Sequence, residues 1–437
     1  MAACRPVPVL LLLAVLAAGA ACGGPWPGVA NGWWLPGFAA VSLAAAGVER
    51  KLPPRFWLGG GLMLGLIALY AVNPTHRWSA GVGLLPAPHV SWLPGSTEPN
   101  GSWQALGAAA AAWAAYALAF GLSRRQVRCL QLVAALAGAA MAVAVLAQRL
   151  EPGAPRIRAY TGIFVNENHF AVFSNLLLPT VLALAARARY RAVQAGRPSS
   201  PAGLFALVAI LMAAATVACG SRAGVAVMAL LVAAHVGSCR RQIRDYPFAG
   251  MPTSTGRRWA GGVAVAVAAG FAVRAFWNEW QRLAAIAQEG VFRFGMVKAA
   301  LAAWRERPVW GTGPGTFAAV FPYYRSAMFE NRSILHAHCE PVQFLAEFGV
   351  AGVLVVALAL ALALSARHSA GTGSDEIPAF ADLERRAFGF GLLAFGLHGL
   401  VDFPLRVPLL ALIAAAWAGI WVGTRPLSST GQSTGGT

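Results

Sequence analysis

The sequence predicts an all-α, polytopic integral membrane protein. Three observations carry that prediction: composition, the length of the apolar runs, and the placement of positive charge. Of the 437 residues, 58% are hydrophobic and only 11% are charged, with a mean hydropathy of +0.60. Soluble domains carry about 25% charged residues, so this chain lacks the polar surface that a globular body needs in water. A spanning helix needs about 20 mostly apolar residues, because lipid offers its backbone no hydrogen-bond partners. Runs of that kind occur at 7–22, 56–72, 103–122, 129–148, 203–219, 342–364 and 405–422. They are rich in Ala and Gly, which let helices approach closely in a bilayer. None alternates apolar with polar residues as a barrel strand does.

The first run follows Arg5 and ends in small residues, a pattern shared with signal peptides. Ala20-Ala21-Cys22 resembles a lipoprotein processing site, but Gly19 stands where a larger aliphatic residue is expected. The run is therefore read as a first span.

The arginines orient the spans. With the N-terminus in the cytoplasm and about twelve spans, the even-numbered turns fall at 49–55, 123–128, 187–197, 240–258, 367–386 and after Arg425. Together with Arg5 these hold about 20 of the 34 Lys and Arg. The connectors at 23–32 and 73–101 are poor in positive charge. This is the positive-inside asymmetry, and it predicts that both termini are cytoplasmic. Trp26, Trp33, Trp34, Trp92, Trp103, Trp277 and Trp280 fall near predicted interfaces, where an indole is favoured. The formal charge of +18 does not indicate nucleic acid, because the basic residues are scattered between apolar runs rather than gathered on one soluble face.

Some positive charges have no topological explanation. They are Arg149, Arg156, Arg158, Arg222, Arg406 and a group in the long hydrophilic segment 277–340: Arg282, Arg293, Lys298, Arg305, Arg307, Arg325 and Arg332. An anionic substrate at the outer surface would account for them. So would pairing with Glu279, Glu289, Glu306 and Glu330.

Four clusters with chemical potential share the predicted outer side. Gly220-Ser221-Arg222-Ala223-Gly224 is a very short turn whose guanidinium is costly at such a depth and matches phosphate oxygens. Its other expected state is a pair with Asp402. A stretch from Val291 to Trp304, containing Arg293 and Lys298, has the pattern of an interfacial amphipathic helix. It stops at Pro308, before Gly311-Thr312-Gly313-Pro314-Gly315, a tight turn without the Lys-Ser/Thr ending of a nucleotide loop. His336-Ala337-His338-Cys339-Glu340-Pro341 sits at the mouth of a helix, where the dipole favours anions and a neutral imidazole suits a general base. Zinc held by the same residues is an alternative, though the spacing is not that of a standard site. The last cluster joins Asn166-Glu167-Asn168-His169 to His398 and Asp402-Phe403-Pro404-Leu405-Arg406, with Asp402 the expected partner of an outer arginine. No internal repeat is evident. The six Cys lack redox or metal spacing, and the tail at 425–437 is expected to be disordered.

The ordered set of segments resembles the bacterial O-antigen ligase and O-antigen polymerase-like membrane proteins. The matching residues are Gly162-Ile163-Phe164-Val165-Asn166-Glu167-Asn168-His169-Phe170-Ala171 and Ser221-Arg222-Ala223-Gly224. They continue through Arg293, Pro308-Val309-Trp310-Gly311-Thr312-Gly313-Pro314-Gly315-Thr316-Phe317, His336-Ala337-His338 and Glu347-Phe348-Gly349-Val350-Ala351-Gly352. They end at His398-Gly399-Leu400-Val401-Asp402-Phe403-Pro404. The resemblance implies about twelve helices of a GT-C-like glycosyltransferase. It implies an N-terminal helical part at 1–160 and a ligase-related membrane part at 161–424, with a periplasmic segment at 277–340. It places the protein in the bacterial inner membrane. His338 takes the family's catalytic position, and Arg222 and Arg293 take its diphosphate-binding positions. His336, Asn168, His169, Glu340 and Asp402 are expected to support them. The family commonly has Asn and Asp where this chain has Cys339 and Glu340.

The implied partners are membrane lipids, a polyprenyl-diphosphate-linked glycan donor and a hydroxyl acceptor: a glycan, a lipid A core or a protein side chain. No cofactor, metal or nucleic acid is expected. The competing readings are a transporter or flippase for a lipid-linked sugar and a non-catalytic component of envelope assembly.

Overall fold

The computed structural model describes residues 52–150, 161–197, 199–244, 283–365 and 378–424, together with residues 10, 12–14, 16 and 17. The processing-like motif at Cys22, the residues Arg156 and Arg158, and the tail lie outside the described residues. So do most of the 240–258 turn and the segment at 277–282, with Trp26, Trp33, Trp34, Trp277 and Trp280.

The described chain is helical apart from one hairpin. The first helices are α1 (Pro54–Val72), α2 (Pro99–Phe120), α3 (Arg124–Leu150), α4 (Glu167–Gln194), α5 (Ala202–Ala218) and α6 (Arg222–Arg244). Then follow α7 (Leu283–Glu306), α8 (Phe317–Tyr324), α9 (Glu340–Ser365), α10 (Pro378–Gly399) and α11 (Pro408–Gly423). Among the described residues, four helices are long and apolar enough to cross a membrane: α1, α3 over Arg124–Arg149, α4 and α9. Ala202–Ala218, Arg222–His235 and Pro408–Gly423 are shorter apolar helices.

Local sequence sets the helix starts. α1, α2 and α11 each have proline in their first turn, where the missing N–H costs nothing. Glu98 caps α2 by accepting from the N–H groups of Asn100 and Gly101. Asn166 caps α4 by accepting the Asn168 N–H at 2.8 Å.

α4 is the central helix, with 83% of its most apolar window buried. It packs on α10, α5, α3 and α6, while α2 lies along α11 and α1 along α9. Small residues allow these approaches. A methyl group at Gly423 would stand 1.9 Å from the Phe120 carbonyl oxygen, and one at Gly391 would stand 2.4 Å from that of Leu176. Toward the C-terminal end of α4, Arg187 forms a buried ion pair with Glu384 of α10.

Two features differ from the sequence expectation. The connector 73–101 contains an antiparallel hairpin, β1 (His76–Ser79) and β2 (Gly83–Pro86), with His76 opposite Pro86. Its strands have four residues each, too short to register as periodicity. The stripe of α7 formed by Met296, Ala299, Ala300 and Ala303 is buried, with helical spacing. The first three of these pack on Phe317, Phe321 and Phe329. This stripe is thus used against protein, while Val291 and Phe294 of the same helix are exposed.

α9 is interrupted at Gly349 (φ 63°, ψ −178°), a conformation open essentially to glycine. The freed backbone groups are all taken up. Ala346 and Glu347 carbonyls accept from the N–H groups of Thr312 (3.0 Å) and Gly313 (2.8 Å), and the Phe348 carbonyl accepts from the Tyr70 hydroxyl (2.8 Å). Val350 and Ala351 donate to the carbonyls of Pro308 and Val309. The Pro308–Gly313 loop therefore completes the broken helix, as irregular backbone buried in a membrane protein must.

Candidate functional site

The loop between α10 and α11 is the hub. Asp402 is buried, and its Oδ1 accepts the Phe403 N–H at 3.0 Å. The same oxygen lies 3.3 Å from His338 Nδ1, within ion-pair reach but without the alignment of a full hydrogen bond. Burial pushes the Asp402 carboxyl upward. The contact with His338, the nearby His169 and the Phe403 N–H outweigh that, and the carboxyl is held below its ordinary value. The expectation that Asp402 pairs with an outer arginine is corrected here: its partner is a histidine. The turn Pro404–Arg406 carries Arg406 away from it, into a different buried pair.

His338 has φ 52°, the sole positive φ of a non-glycine among the described residues. That left-handed conformation costs an ordinary residue about 1–2 kcal/mol. It turns the ring inward just before α9 begins at Glu340. The ring meets Phe403 edge-on at 4.7 Å, and His169 meets the same phenyl edge-on at 5.0 Å. His336 lies against Phe403 at 4.3 Å and 36°. Burial, then Arg406, push the His336 imidazole down to about 3, so it is neutral at physiological pH.

A buried network fixes this histidine loop. Arg406 donates to Glu347 Oε2 at 2.7 Å and stands 3.8 Å from Glu340 Oε2. Glu340 Oε1 accepts the Leu405 N–H at 2.9 Å. Glu347 also accepts from the Gly315 N–H (3.0 Å) and the Gln343 amide (2.9 Å), and Gln343 Oε1 in turn holds the Ala337 N–H at 2.9 Å. One guanidinium serves two buried carboxylates, with the shorter contact going to Glu347.

Arg293 joins the hub from α7. Arg293 of α7 donates to the Val401 carbonyl at 2.7 Å, one residue before Asp402. Among the described residues no carboxylate pairs with it. Arg222, the first residue of α6, pairs with Glu289 at 2.8 Å, one turn before Arg293 on α7. Both partners are partly exposed, so the pair is labile. Ser221 donates to Asn168 Oδ1 at 2.6 Å and accepts the Gly224 N–H at 3.0 Å. This ties the α6 start to the α4 start. Farther in, Asn175 lies 3.1 Å from His398 and donates to the Gly224 carbonyl.

The structure thus brings Arg293, His336, His338, His169, Glu340 and Asp402 to one loop, while Arg222 is held to Glu289 of α7 and Asn168 to Ser221. In the glycine loop the N–H groups of Thr312, Gly313 and Gly315 donate to α9 and that of Gly311 to the Arg307 carbonyl, matching its reading as a turn. Cys219 and Cys339 are unbridged. Sequence reasoning missed the parts of Phe403, Gln343 and Glu347. Phe403 and Glu347 stand inside recognised segments, but nothing in spacing alone marks an apolar ring as the seat of three imidazoles.

These features define a helical membrane protein with a histidine–carboxylate pair and Arg293 anchored beside it. A family model described as O-Antigen ligase matches residues 207–357, and the chain is O-antigen ligase-like over that stretch. The stretch runs from α5 into α9 and contains Arg222, Arg293, His336, His338 and Glu340. No curated protein matches the chain. In general terms the match supports a bacterial membrane protein that acts in glycan transfer for polysaccharide biosynthesis, with a lipid-linked glycan and an acceptor as partners.

Proposed function

We propose that the protein is a glycosyltransferase of the bacterial inner membrane that moves a glycan from a polyprenyl diphosphate to a hydroxyl acceptor on the periplasmic side. The observation that carries the reading is the His338–Asp402 pair, 3.3 Å apart, with Arg293 anchored to the adjoining Val401 carbonyl. His338 takes the proton of the attacking hydroxyl as the new glycosidic bond forms. Asp402, ionised and buried behind it, stabilises the imidazolium that results. The bond from the sugar to the diphosphate breaks, and Arg222 and Arg293 take up the charge on the leaving diphosphate. Arg222 reaches it by exchanging its exposed contact with Glu289. A diphosphate is a good leaving group, so the step needs only a base and the two cations. His336 and His169 hold Phe403, and through it the orientation of His338. About twelve spans, cytoplasmic termini and a periplasmic segment at 277–340 complete the proposed topology.

Transport is the weaker reading. Interrupted helices often mark transporter sites, but the backbone groups at the break in α9 are met by the Pro308–Gly313 loop and by Tyr70. The test is the purified protein in nanodiscs, given a polyprenyl-diphosphate glycan and a hydroxyl acceptor. Release of polyprenyl diphosphate with a new glycosidic bond supports transferase action. Movement of the lipid-linked sugar across a vesicle with no bond made or broken would contradict it.

A further inference from the structure

The hairpin at 76–86 helps to line a polar cavity of about 290 Å³. None of the residues around Phe403 lines it. Its walls include His76, Thr97, Glu306, Arg307, Tyr323 and Tyr324, drawn from β1, the start of α2, the end of α7 and α8. The frame is hydrogen-bonded on every side. Thr97 N–H donates to the Thr312 carbonyl (2.8 Å), Leu84 N–H to the Tyr323 hydroxyl (3.2 Å), and Arg307 to Thr75 Oγ1 (3.0 Å).

Several features point to a ligand. Thr97 lines the cavity and is 6% exposed, and among the described residues its hydroxyl has no hydrogen-bond partner. A buried hydroxyl left without a partner is costly. Tyr323 is exposed and offers a ring face with a polar tip. Tyr324 donates to Glu306 Oε2 at 2.5 Å, which orients that carboxylate. The only side-chain bond of the Arg307 guanidinium among the described residues is to Thr75 Oγ1, and a guanidinium has five N–H donors.

We infer that this cavity is a carbohydrate subsite that takes one or two uncharged sugar units of the glycan. The volume lies at the small end of ligand sites, which suits a unit of that size. Sugar hydroxyls both donate and accept, and the lining supplies a carboxylate, a guanidinium and hydroxyls to meet both needs. An anion is disfavoured because Glu306 offsets Arg307, and burial followed by Arg307 holds His76 below its ordinary value. The subsite is joined to the histidine loop. Thr312 lines the cavity, the Gly315 N–H three residues on binds Glu347, and Glu347 reaches Ala337 through Gln343. The choice of sugar as ligand rests on the glycan-transfer reading.

The test is saturation-transfer NMR on the full chain in nanodiscs. The probes are methyl glucoside, N-acetylglucosamine and lactose, with inorganic phosphate as competitor. At least one sugar should bind, and Thr97→Val or Tyr323→Ala should weaken it about tenfold, the size of one lost hydrogen bond. Phosphate should leave the signal unchanged. Absence of binding to all three sugars, equal binding in both variants, or displacement by phosphate would overturn the subsite. The measurement needs neither donor lipid nor turnover, so failure of the transferase reading in a His338 variant leaves this result standing on its own.

Discussion

Replacing Asp402 by Asn keeps shape and removes one buried charge. Its effect can be worked from the 3.3 Å separation between Asp402 Oδ1 and His338 Nδ1. Two unit charges at that distance interact by about 5 kcal/mol at an effective dielectric of 20. The interaction arises only when the imidazole has taken a proton, so it acts on the transition state. His338 is a quarter exposed while Asp402 is buried, and water on the histidine side screens part of it. About 2–4 kcal/mol should survive, which is roughly 30- to 1000-fold in rate. The assay is initial rate of glycan transfer by Asp402→Asn and wild-type protein in the same nanodiscs, with equal thermal unfolding as a control for folding. A variant that folds normally and turns over within threefold of wild type would refute the idea that Asp402 stabilises the imidazolium.

Other consequences follow from the same geometry. Arg406→Met strands the fully buried Glu347 and should destabilise the protein by about 3–5 kcal/mol. Adding Glu347→Gln should recover part of that loss in detergent unfolding; no recovery would show that the pair is not the cause. His336 is neutral in the folded protein, with its value pushed down to about 3, while the unfolded chain protonates near 6.5. Its contribution is therefore fully present above about pH 6.5 and lost as pH falls toward 3, costing about 2 kcal/mol at pH 5. Comparing unfolding of wild type and His336→Gln across pH 7 to 4 should show a flatter profile for the variant. Gly349→Ala forces a methyl to 2.3 Å from the Val309 carbonyl oxygen at a positive φ, and should cost at least about 2 kcal/mol, read as lower yield of folded protein.

Much of the site was legible because its residues are expensive. Arg222 and Arg293 stood out as positive charges that topology did not need, and His338 stood at a helix mouth beside a proline. The structure joins them through single contacts, such as Arg293 to the Val401 carbonyl, that no spacing rule reveals. Asp402 was noticed but given the wrong partner, since charge alone does not distinguish a guanidinium from an imidazole as its neighbour. The hairpin at 76–86 was missed because four-residue strands carry too little pattern. The Gly349 break was hidden inside an apolar run, because hydropathy reports burial and is blind to backbone angle. Helix character was read well, since lipid leaves the backbone few alternatives.

The central claim is that His338 is the base of a glycan transfer. The direct measurement is transfer from a polyprenyl-diphosphate glycan to a hydroxyl acceptor by purified wild-type and His338→Ala proteins, each shown to be inserted and equally stable. Loss of transfer with donor binding retained is the predicted result. Transfer by His338→Ala at a rate near wild type would contradict the account.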